Sequence, residues 1–402
     1  MSGTDQIHAA KEPAPARARV IAFYLPQYHP IPENDEWWGS GFTEWHNVRR
    51  ARPLYPGHYQ PHEPTELGYY DLRDPGVREA QAEMARRHGV EAFCYWHYWF
   101  GNGRRLLERP FNEVLRTGKP DFPFCLGWAN DTWTGIWYGA PGRVLMEQQY
   151  PGIEDYRRHF FSVLEALHDK RYLRVEGKPL FLIYRPHSIP DIAAFLDCWR
   201  ELAAQAGLPG LYLVAHLKGC RADAADYEGF DAFTCEPFSS IGSLVDLRTL
   251  LRSFADSAAA LDRSAVSRSF RLMPCALRIY LQRRWCKGSR ARPLVLEYDK
   301  LLPILLEEVS KNEDYHPFII SNWDNTPRCG ARGVVYSGAT PSLLRSHLRH
   351  AVAFLGSRPS ERRLIFLKSW NEWAEGNYLE PEKRYGRQFL EAIKAEVEGP
   401  DV

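Results

Sequence analysis

The chain lacks the short motifs by which metal and nucleotide sites are usually found. It contains no His-Glu-x-x-His, no Gly-x-x-x-x-Gly-Lys phosphate loop, and no Asp-x-Asp pair. Asp-x-Asp is the pair that holds a metal and a nucleotide-sugar diphosphate in one large class of glycosyltransferases. His58 and His62 are four residues apart, but Pro61 between them disfavours a helical metal pair. We therefore expect no metal and no cofactor, and the missing Asp-x-Asp counts against a nucleotide-sugar donor.

The chain also lacks an excess of charge of either sign. Among its 402 residues, 51 Lys and Arg oppose 50 Asp and Glu, which gives a formal net charge of +1. Overall charge therefore does not draw the protein to nucleic acid, and we expect no nucleic-acid partner. The eight cysteines are scattered without a Cys-x-x-Cys pair, so we expect buried thiols and no disulfides.

Two kinds of apolar segment are missing as well. Residues 1–19 contain no apolar stretch of the signal-peptide type, and no apolar run reaches the roughly 18 residues that a membrane-spanning helix needs. Residues 1–18, rich in Ala, Pro, Lys and Arg, are expected to form a flexible tail. Residues 19–402 are expected to form a single catalytic domain, and the cytoplasm is the expected location.

The chain contains many short apolar runs, which are separated by segments with helical periodicity. Their nearly continuous apolarity is typical of strands covered on both faces, as in parallel sheets. Helix signals at 74–76 and 340–341 combine a capping side chain with a proline at the first helical position. Eight strands alternating with helices predict a (β/α)8 barrel. The predicted strands are 20–25, 92–98, 124–128, 180–184, 211–215, 230–235, 318–322 and 364–369.

Polar and aromatic residues follow or end these strands. In a (β/α)8 barrel the active site lies at the carboxyl ends of the strands, so these residues are predicted to share one pocket. The candidates for substrate binding are Tyr24, His29, Trp45, His97, Trp99, Trp128, Asn130, Asp131, Tyr184, His216, Glu236, Trp323, Asp324, Trp370, Asn371 and Trp373.

Two segments are longer than a barrel connection requires. Residues 26–75, dense in Pro, Gly, His and Trp, are predicted to lie across the mouth of the pocket. Residues 237–316, after strand six, are predicted to form a basic helical lid. Within them, residues 263–292 contain eight arginines and one lysine but no acid. Either these residues form a lid helix with a solvated basic side, or they dock onto an anionic membrane surface or an acidic glycan.

The segment 364–376 is the strongest indication of chemistry. An apolar strand runs into Glu372 and Glu375, which lie among tryptophans and are followed by Gly376. Breaking or forming a glycosidic bond needs one carboxylic acid and one carboxylate, and these two glutamates supply both. Residues three apart face opposite sides of a strand, so a turn at 373–374 is predicted to bring them together. Desolvation by Trp370 and Trp373, with like-charge repulsion, is expected to raise the pKa of one glutamate.

Several long motifs resemble the WbsX family, which is similar to glycoside hydrolase family 99 and is often encoded among bacterial surface-polysaccharide genes. The resemblance spans roughly residues 19–390 and implies a (β/α)8 barrel without a metal. It rests on the segments 24–29, 41–45, 58–61, 68–72, 96–100, 128–130, 323–326 and 370–376. The last of these reads Trp-Asn-Glu-Trp-Ala-Glu-Gly.

Family 99 enzymes are retaining endo-enzymes that cleave α-mannans with a Glu-x-x-Glu pair. The resemblance implies that Glu372 deprotonates the 2-hydroxyl of the substrate, which attacks the anomeric carbon and gives a 1,2-anhydro sugar. It implies that Glu375 acts first as general acid and then as general base on water. Tyr184, at the end of strand four, is a candidate partner for the sugar.

Three hypotheses for function follow. The first is a retaining glycoside hydrolase or transglycosidase that acts on a bacterial surface polysaccharide or on its precursor, which could be lipid-linked. The second is a glycosyltransferase of O-antigen, capsular or exopolysaccharide biosynthesis, at or near the inner membrane. The third is a non-catalytic glycan-binding protein, which the intact glutamate pair disfavours because binding alone needs no acid and base.

Overall fold

Eight parallel strands form the frame of the protein. The computed structural model describes residues 17–135, 140–218, 227–236, 292–301 and 312–398. Each predicted strand is present, with bounds shifted by at most a few residues. The strands are β1 Arg19–Tyr24, β2 Val90–Trp99, β3 Phe124–Trp128, β4 Lys178–Ile183, β5 Tyr212–Lys218, β6 Ala232–Glu236, β7 Phe318–Ile320 and β8 Leu364–Lys368.

The strands close into a barrel. Their order is β6-β5-β4-β3-β2-β1-β8-β7, and each neighbouring pair in that order is parallel. The remaining edge is joined by the segment that leads into β7. Phe233 donates its backbone N–H to the oxygen of Asp314 at 3.0 Å, and its own oxygen accepts from the N–H of His316 at 2.8 Å. The predicted (β/α)8 barrel is confirmed.

Helices connect the strands and cover the outside of the barrel. The two helix starts predicted from sequence are confirmed: Asp74 accepts from the N–H of Gly76, and Thr340 accepts from the N–H of Leu343. These side chains pair backbone donors that a helix start leaves without partners. The described helices are α1 Pro32–Trp38, α2 Trp45–Arg50, α3 Pro75–Arg87, α4 Arg109–Thr117, α5 Ile153–His168, α6 Ile192–Gln205, α7 Thr326–Cys329, α8 Pro341–Leu355 and α9 Gln388–Val397.

Successive side chains on a strand alternate between the barrel interior and the surrounding helices. On β1, Phe23 points inward and stacks on Trp96 of β2, with ring centroids 4.6 Å apart. The next residue, Tyr24, points outward and donates its hydroxyl hydrogen bond to Gln81 of α3 at 2.6 Å. Both faces are buried, which explains why these runs are apolar without interruption.

Parts of the predicted tail and of the predicted lid fall outside the described residues. Of the tail, Arg17 and Ala18 are described, and they belong to the fold: Arg17 donates its N–H to the oxygen of Val397, and Ala18 is buried. The helical lid and the basic stretch 263–292 lie almost wholly outside the described residues. Within the predicted insertion, Leu294–Glu297 is a strand, paired in parallel with Val334–Ser337. In the part of the chain that is described, no helix is long and apolar enough to cross a membrane.

Candidate active site

The glutamate segment folds as a strand followed by a tight turn. After β8, the short strand Asn371–Glu372 pairs with Asn377–Tyr378, and Trp373–Glu375 forms one turn of 3₁₀-helix. The predicted turn is confirmed. It ends at Gly376, whose φ of +68° lies in the left-handed region that glycine adopts without strain. A Cβ at this position would lie 2.7 Å from the backbone nitrogen of Asp324. Glycine therefore lets the turn pack tightly against the residues after β7.

This turn brings the two glutamates together at the carboxyl end of the barrel. Both side chains are buried, and the two carboxyl groups lie close enough for each to shift the pKa of the other. Glu372 accepts from the indole N–H of Trp96 at 3.1 Å. Glu375 accepts from the guanidinium group of Arg328 at 2.7 Å. The Lys368 ammonium nitrogen lies 3.7 Å from one oxygen of Glu372 and 3.5 Å from one oxygen of Glu375.

The surroundings separate the pKa values of the two acids. Burial raises the pKa of Glu372 well above the ordinary range of a glutamate, and the neighbouring charge of Glu375 adds to the increase, although Lys368 opposes it. Burial also acts on Glu375, but Lys368 and Arg328 together hold its pKa below that range. Of the two groups, Glu375 therefore ionises first as the pH rises, and Glu372 keeps its proton to a higher pH.

An open cleft leads to this pair. Its empty space is about 990 Å³, including solvent at the mouth. Half-buried indoles of α1 and of the hairpin that starts at Trp133 form its walls, and the glutamates lie at its base. Its lining residues include Gln27, Asn34, Trp37, Trp38, Glu44, Trp96, Tyr98, Asp131, Trp133, Tyr184, Arg328, Lys368, Glu372 and Glu375. Several come from residues 26–75, which border the cleft as predicted.

Six of the predicted site residues lie in the cleft or beside it. Asp131, Tyr184, Glu372 and Glu375 line it. Two more are held next to it by Lys368, whose ammonium group lies 4.8 Å from the ring centroid of Trp323 and 4.0 Å from an oxygen of Glu236.

Most of the predicted residues that lie on the strands themselves point away from the cleft. Tyr24 and His97 point outward, where His97 contacts His159 of α5, with their Nε2 atoms 2.9 Å apart. Trp99 donates to Asp155 at 2.9 Å, and Trp128 donates to the backbone oxygen of Trp99. Because side chains alternate along a strand, these residues pack against the helices while their neighbours face the barrel interior. They do not line the cleft.

Other predicted residues hold the loops in place instead of lining the cleft. Asn130 and Asn371 are buried and hydrogen-bond to backbone groups of Arg185 and Leu25. Asp324 accepts from His58, Gln60 and Thr326. The remaining four are also buried, in contact with the groups that follow: His29 with the oxygen of Pro26, Trp45 with the oxygen of Tyr70, His216 with the ring of Tyr184, and Trp370 with the ring of Phe93.

The expected role of Trp370 and Trp373 is also corrected. Neither indole lines the cleft. Trp373 donates to a third acid, Glu380, at 2.6 Å, and Trp370 packs against the ring of Phe93. Glu380 is fully enclosed by the core, and burial raises its pKa to about 7. The residues that surround the carboxyl groups of Glu372 and Glu375 are instead Trp96, Arg328 and Lys368.

Sequence reasoning missed several residues of the cleft. Trp96 and Tyr98 alternate with the predicted His97 and Trp99, so a correct assignment of the inward face of β2 would have found them. Lys368 interrupts an apolar strand, which is a signal in itself. Asn34 is fully buried beside the cleft, and neither atom of its side-chain amide has a hydrogen-bond partner among the described residues. Such a group is available to a ligand hydroxyl.

A family match identifies the chain. The model of the family described as "Glycosyltransferase WbsX" matches residues 20–393. The chain belongs to the WbsX family. This membership places it among carbohydrate-active enzymes. In the described residues, no group of three or more His, Cys, Asp and Glu side chains is arranged to hold a metal ion.

A curated protein is similar to nearly the whole chain. "Uncharacterized protein WxcX" of Xanthomonas campestris pv. campestris is 36% identical over 389 residues, which are 96% of this chain and 50% of that protein. The chain thus spans about half the length of the curated relatives it matches.

Two solved structures share the fold. A glycoside hydrolase-like protein has a TM-score of 0.53 at 14% identity, with 98% of this chain and 97% of that chain covered. A family 99 endo-α-mannosidase from Bacteroides thetaiotaomicron has a TM-score of 0.50 at 14% identity, with 95% and 96% covered. At this level of identity the likeness concerns the barrel alone.

Proposed function

We propose that the protein is a retaining glycoside hydrolase or transglycosidase that acts on a bacterial surface polysaccharide or its lipid-linked precursor through Glu372 and Glu375. The observation that carries the proposal is the pair itself: two buried carboxyl groups, with pKa values shifted in opposite directions, at the base of a cleft bordered by indoles. One neutral and one ionised carboxyl is the state that acid–base cleavage of a glycosidic bond requires.

The closeness of the pair supports retention of anomeric configuration. Inverting enzymes keep their carboxyl groups about 6.5–9.5 Å apart to admit a water molecule between acid and base. Here both carboxyl groups lie within 4 Å of the same ammonium group, that of Lys368, which keeps them close together. A route in which the substrate supplies its own nucleophile requires no water in the first step.

The roles of the pair follow from how the proton moves. Substrate binding gives Glu372 a hydrogen bond from the 2-hydroxyl, which favours its ionised form, and the proton passes to Glu375. Glu372 then takes the proton of the 2-hydroxyl while that oxygen bonds to the anomeric carbon. The bond to the leaving group breaks, and Glu375 protonates the departing oxygen. Water, or an acceptor hydroxyl, then attacks the anomeric carbon and opens the 1,2-anhydro sugar: Glu375 takes the proton of the attacking oxygen, and Glu372 returns its proton to the oxygen at position 2.

The walls of the cleft suit a sugar chain. The indoles of Trp37, Trp38 and Trp133 offer flat apolar surfaces on which sugar rings can stack. The amide of Asn34 offers a donor and an acceptor to hydroxyl groups, and Tyr184 borders the same space. A lipid-linked substrate would bring the protein to a membrane surface.

The pH dependence of activity is expected to be bell-shaped. Below the lowered pKa of Glu375 the pair holds two protons and has no base. Above the raised pKa of Glu372 it holds none and has no acid. The alkaline limb of kcat/KM should therefore lie well above the ordinary glutamate range, and the acidic limb below it. Thermal melts across the same pH range would separate unfolding from titration. A rate that is flat between pH 5 and 9 would contradict this assignment.

The decisive experiment is incubation with a panel of defined α-linked glycans, followed by ¹H NMR of the anomeric signals. The expected result is an α product without any added nucleotide sugar. Formation of a β product would contradict retention. The family description favours a second candidate, a glycosyltransferase. Product formation that strictly requires a nucleotide-sugar donor would replace the first proposal with the second.

A further inference from the structure

Lys368 has no task in the mechanism above, yet it lies at the centre of the site. It is the last residue of β8, and its side chain is buried. Its ammonium nitrogen lies 3.5 Å from Glu375, 3.7 Å from Glu372 and 4.0 Å from Glu236. It also lies over the ring of Trp323, 4.8 Å from the centroid. Burying an ammonium group is costly, and a purely structural residue here could have been apolar.

The second cation of the site acts differently. Arg328 contacts Glu375 at 2.7 Å and Glu44 at 3.1 Å. Its charge lowers the pKa of both carboxyl groups, but for Glu372 it is the smallest of the main causes, so Arg328 mainly favours the ionised form of Glu375. Lys368 is nearly equidistant from both members, so its field favours an ionised carboxylate on either one.

The nearly equal distances from Lys368 to the two glutamates affect how a proton can move between them. When the proton moves from Glu372 to Glu375, the negative charge moves the opposite way and remains within 4 Å of the same ammonium group. The transfer therefore does not separate Lys368 from its counter-charge. Without Lys368, Glu236 and Glu375 would add their negative charge to a buried site that Arg328 alone balances, and the pair would take up a second proton.

We propose that Lys368 is a positioning residue that keeps the Glu372–Glu375 pair at one proton and lets that proton pass between the two carboxyl groups. The inference rests on the proposed function, because it assigns a role within the same reaction. Lys368 touches neither substrate nor reacting atoms in this account and acts through the glutamates.

Lys368→Met is the direct test, with two readouts. In kcat/KM against pH, the acidic and alkaline limbs should both move to higher pH by about one unit or more, because loss of a nearby cation raises the pKa of each carboxyl group. Activity at neutral pH should fall roughly 10²-fold. In protein labelled at the glutamate carboxyl carbon, ¹³C NMR titration should show the same shifts without substrate, with Glu372→Gln and Glu375→Gln used for assignment.

Two further variants keep the test decisive if methionine disturbs folding. Lys368→Arg retains the cation and should restore most of the profile. Glu236→Gln removes a negative charge near Lys368, so both limbs should move to lower pH, opposite to Lys368→Met. The control is Lys383→Met, which removes an exposed lysine paired with Glu63 and should leave the profile unchanged.

The outcomes separate this inference from the proposed function. Shifted carboxyl titrations in a protein that cleaves no glycan would support the role of Lys368 and refute the hydrolase. Active enzyme whose limbs and ¹³C titrations stay in place in folded Lys368→Met would overturn the role of Lys368 and leave the hydrolase standing.

Discussion

Glu375→Gln is expected to reduce turnover by roughly 10³-fold, and Glu372→Gln by a similar factor, with glycan binding largely retained. General acid–base groups contribute about 10²–10⁴-fold to rate, and each substitution removes one of the two from the pair. Glutamine preserves the size of the side chain and can still accept from Trp96 or Arg328. Steady-state kinetics on a cleaved glycan, with isothermal titration calorimetry for binding, would measure both quantities.

The double variant, in which both Glu372 and Glu375 are replaced by glutamine, gives a stricter test of the pair. Because the two carboxyl groups act as one unit, removing both should cost little more than removing either. Glu66→Gln is the matched control, since Glu66 is an exposed glutamate paired with Arg387 and distant from the cleft lining. Full activity in both single variants would show that the chemistry lies elsewhere. Glycan binding without any turnover in the unaltered protein would instead indicate a non-catalytic glycan-binding protein.

The strands and the turn could be predicted because local chemistry determines them. Strands buried on both faces need unbroken apolar runs, and the run 364–369 is an example. The capping side chains of Asp74 and Thr340 fix two helix starts for equally local reasons. Two acids three residues apart on one segment can meet only across a turn, and Gly376 marks where it ends.

Which side chains face the cleft could not be predicted from the same pattern. When both faces of a strand carry apolar and aromatic residues, the sequence does not show which side chains point into the barrel and which point towards the helices. A shift of one residue in the assignment then exchanges the inward-facing and outward-facing side chains. On β2 this exchanged His97 and Trp99 for Trp96 and Tyr98. Arg328 contacts both Glu375 and Glu44, which lie far apart in sequence, so their meeting depends on the tertiary fold.

The position of the proton was beyond sequence reasoning for the same reason. Desolvation and like-charge repulsion indicate that one glutamate has a raised pKa, but they do not say which. Arg328 contacts Glu375 at 2.7 Å and, with Lys368, lowers the pKa of Glu375, whereas burial raises the pKa of Glu372. This order of pKa values is opposite to the one that the roles implied by the family resemblance require, so the proposed mechanism includes a proton transfer within the pair.

Gly376→Ala is expected to destabilise the fold by about 3 kcal/mol and to lower activity about 10²-fold or more. A left-handed residue with a Cβ costs roughly 1–2 kcal/mol, and here the Cβ would also meet the backbone nitrogen of Asp324 at 2.7 Å. That same nitrogen donates to the backbone oxygen of Glu375 at 2.7 Å. Relief of the clash must therefore move the turn that carries the acid, and displacements of about 1 Å can cost 10²-fold in rate.

Gly118→Ala isolates the contribution of backbone conformation. Gly118 has a φ of +69°, against +68° for Gly376, and a Cβ there would meet no heavy atom within 4 Å. Its substitution should cost only the strain of about 1 kcal/mol and leave kcat unchanged. Urea unfolding and steady-state kinetics on both variants give the comparison. Equal losses of stability, or unaltered kcat in Gly376→Ala, would mean that contact between the turn and Asp324 does not hold Glu375 in place.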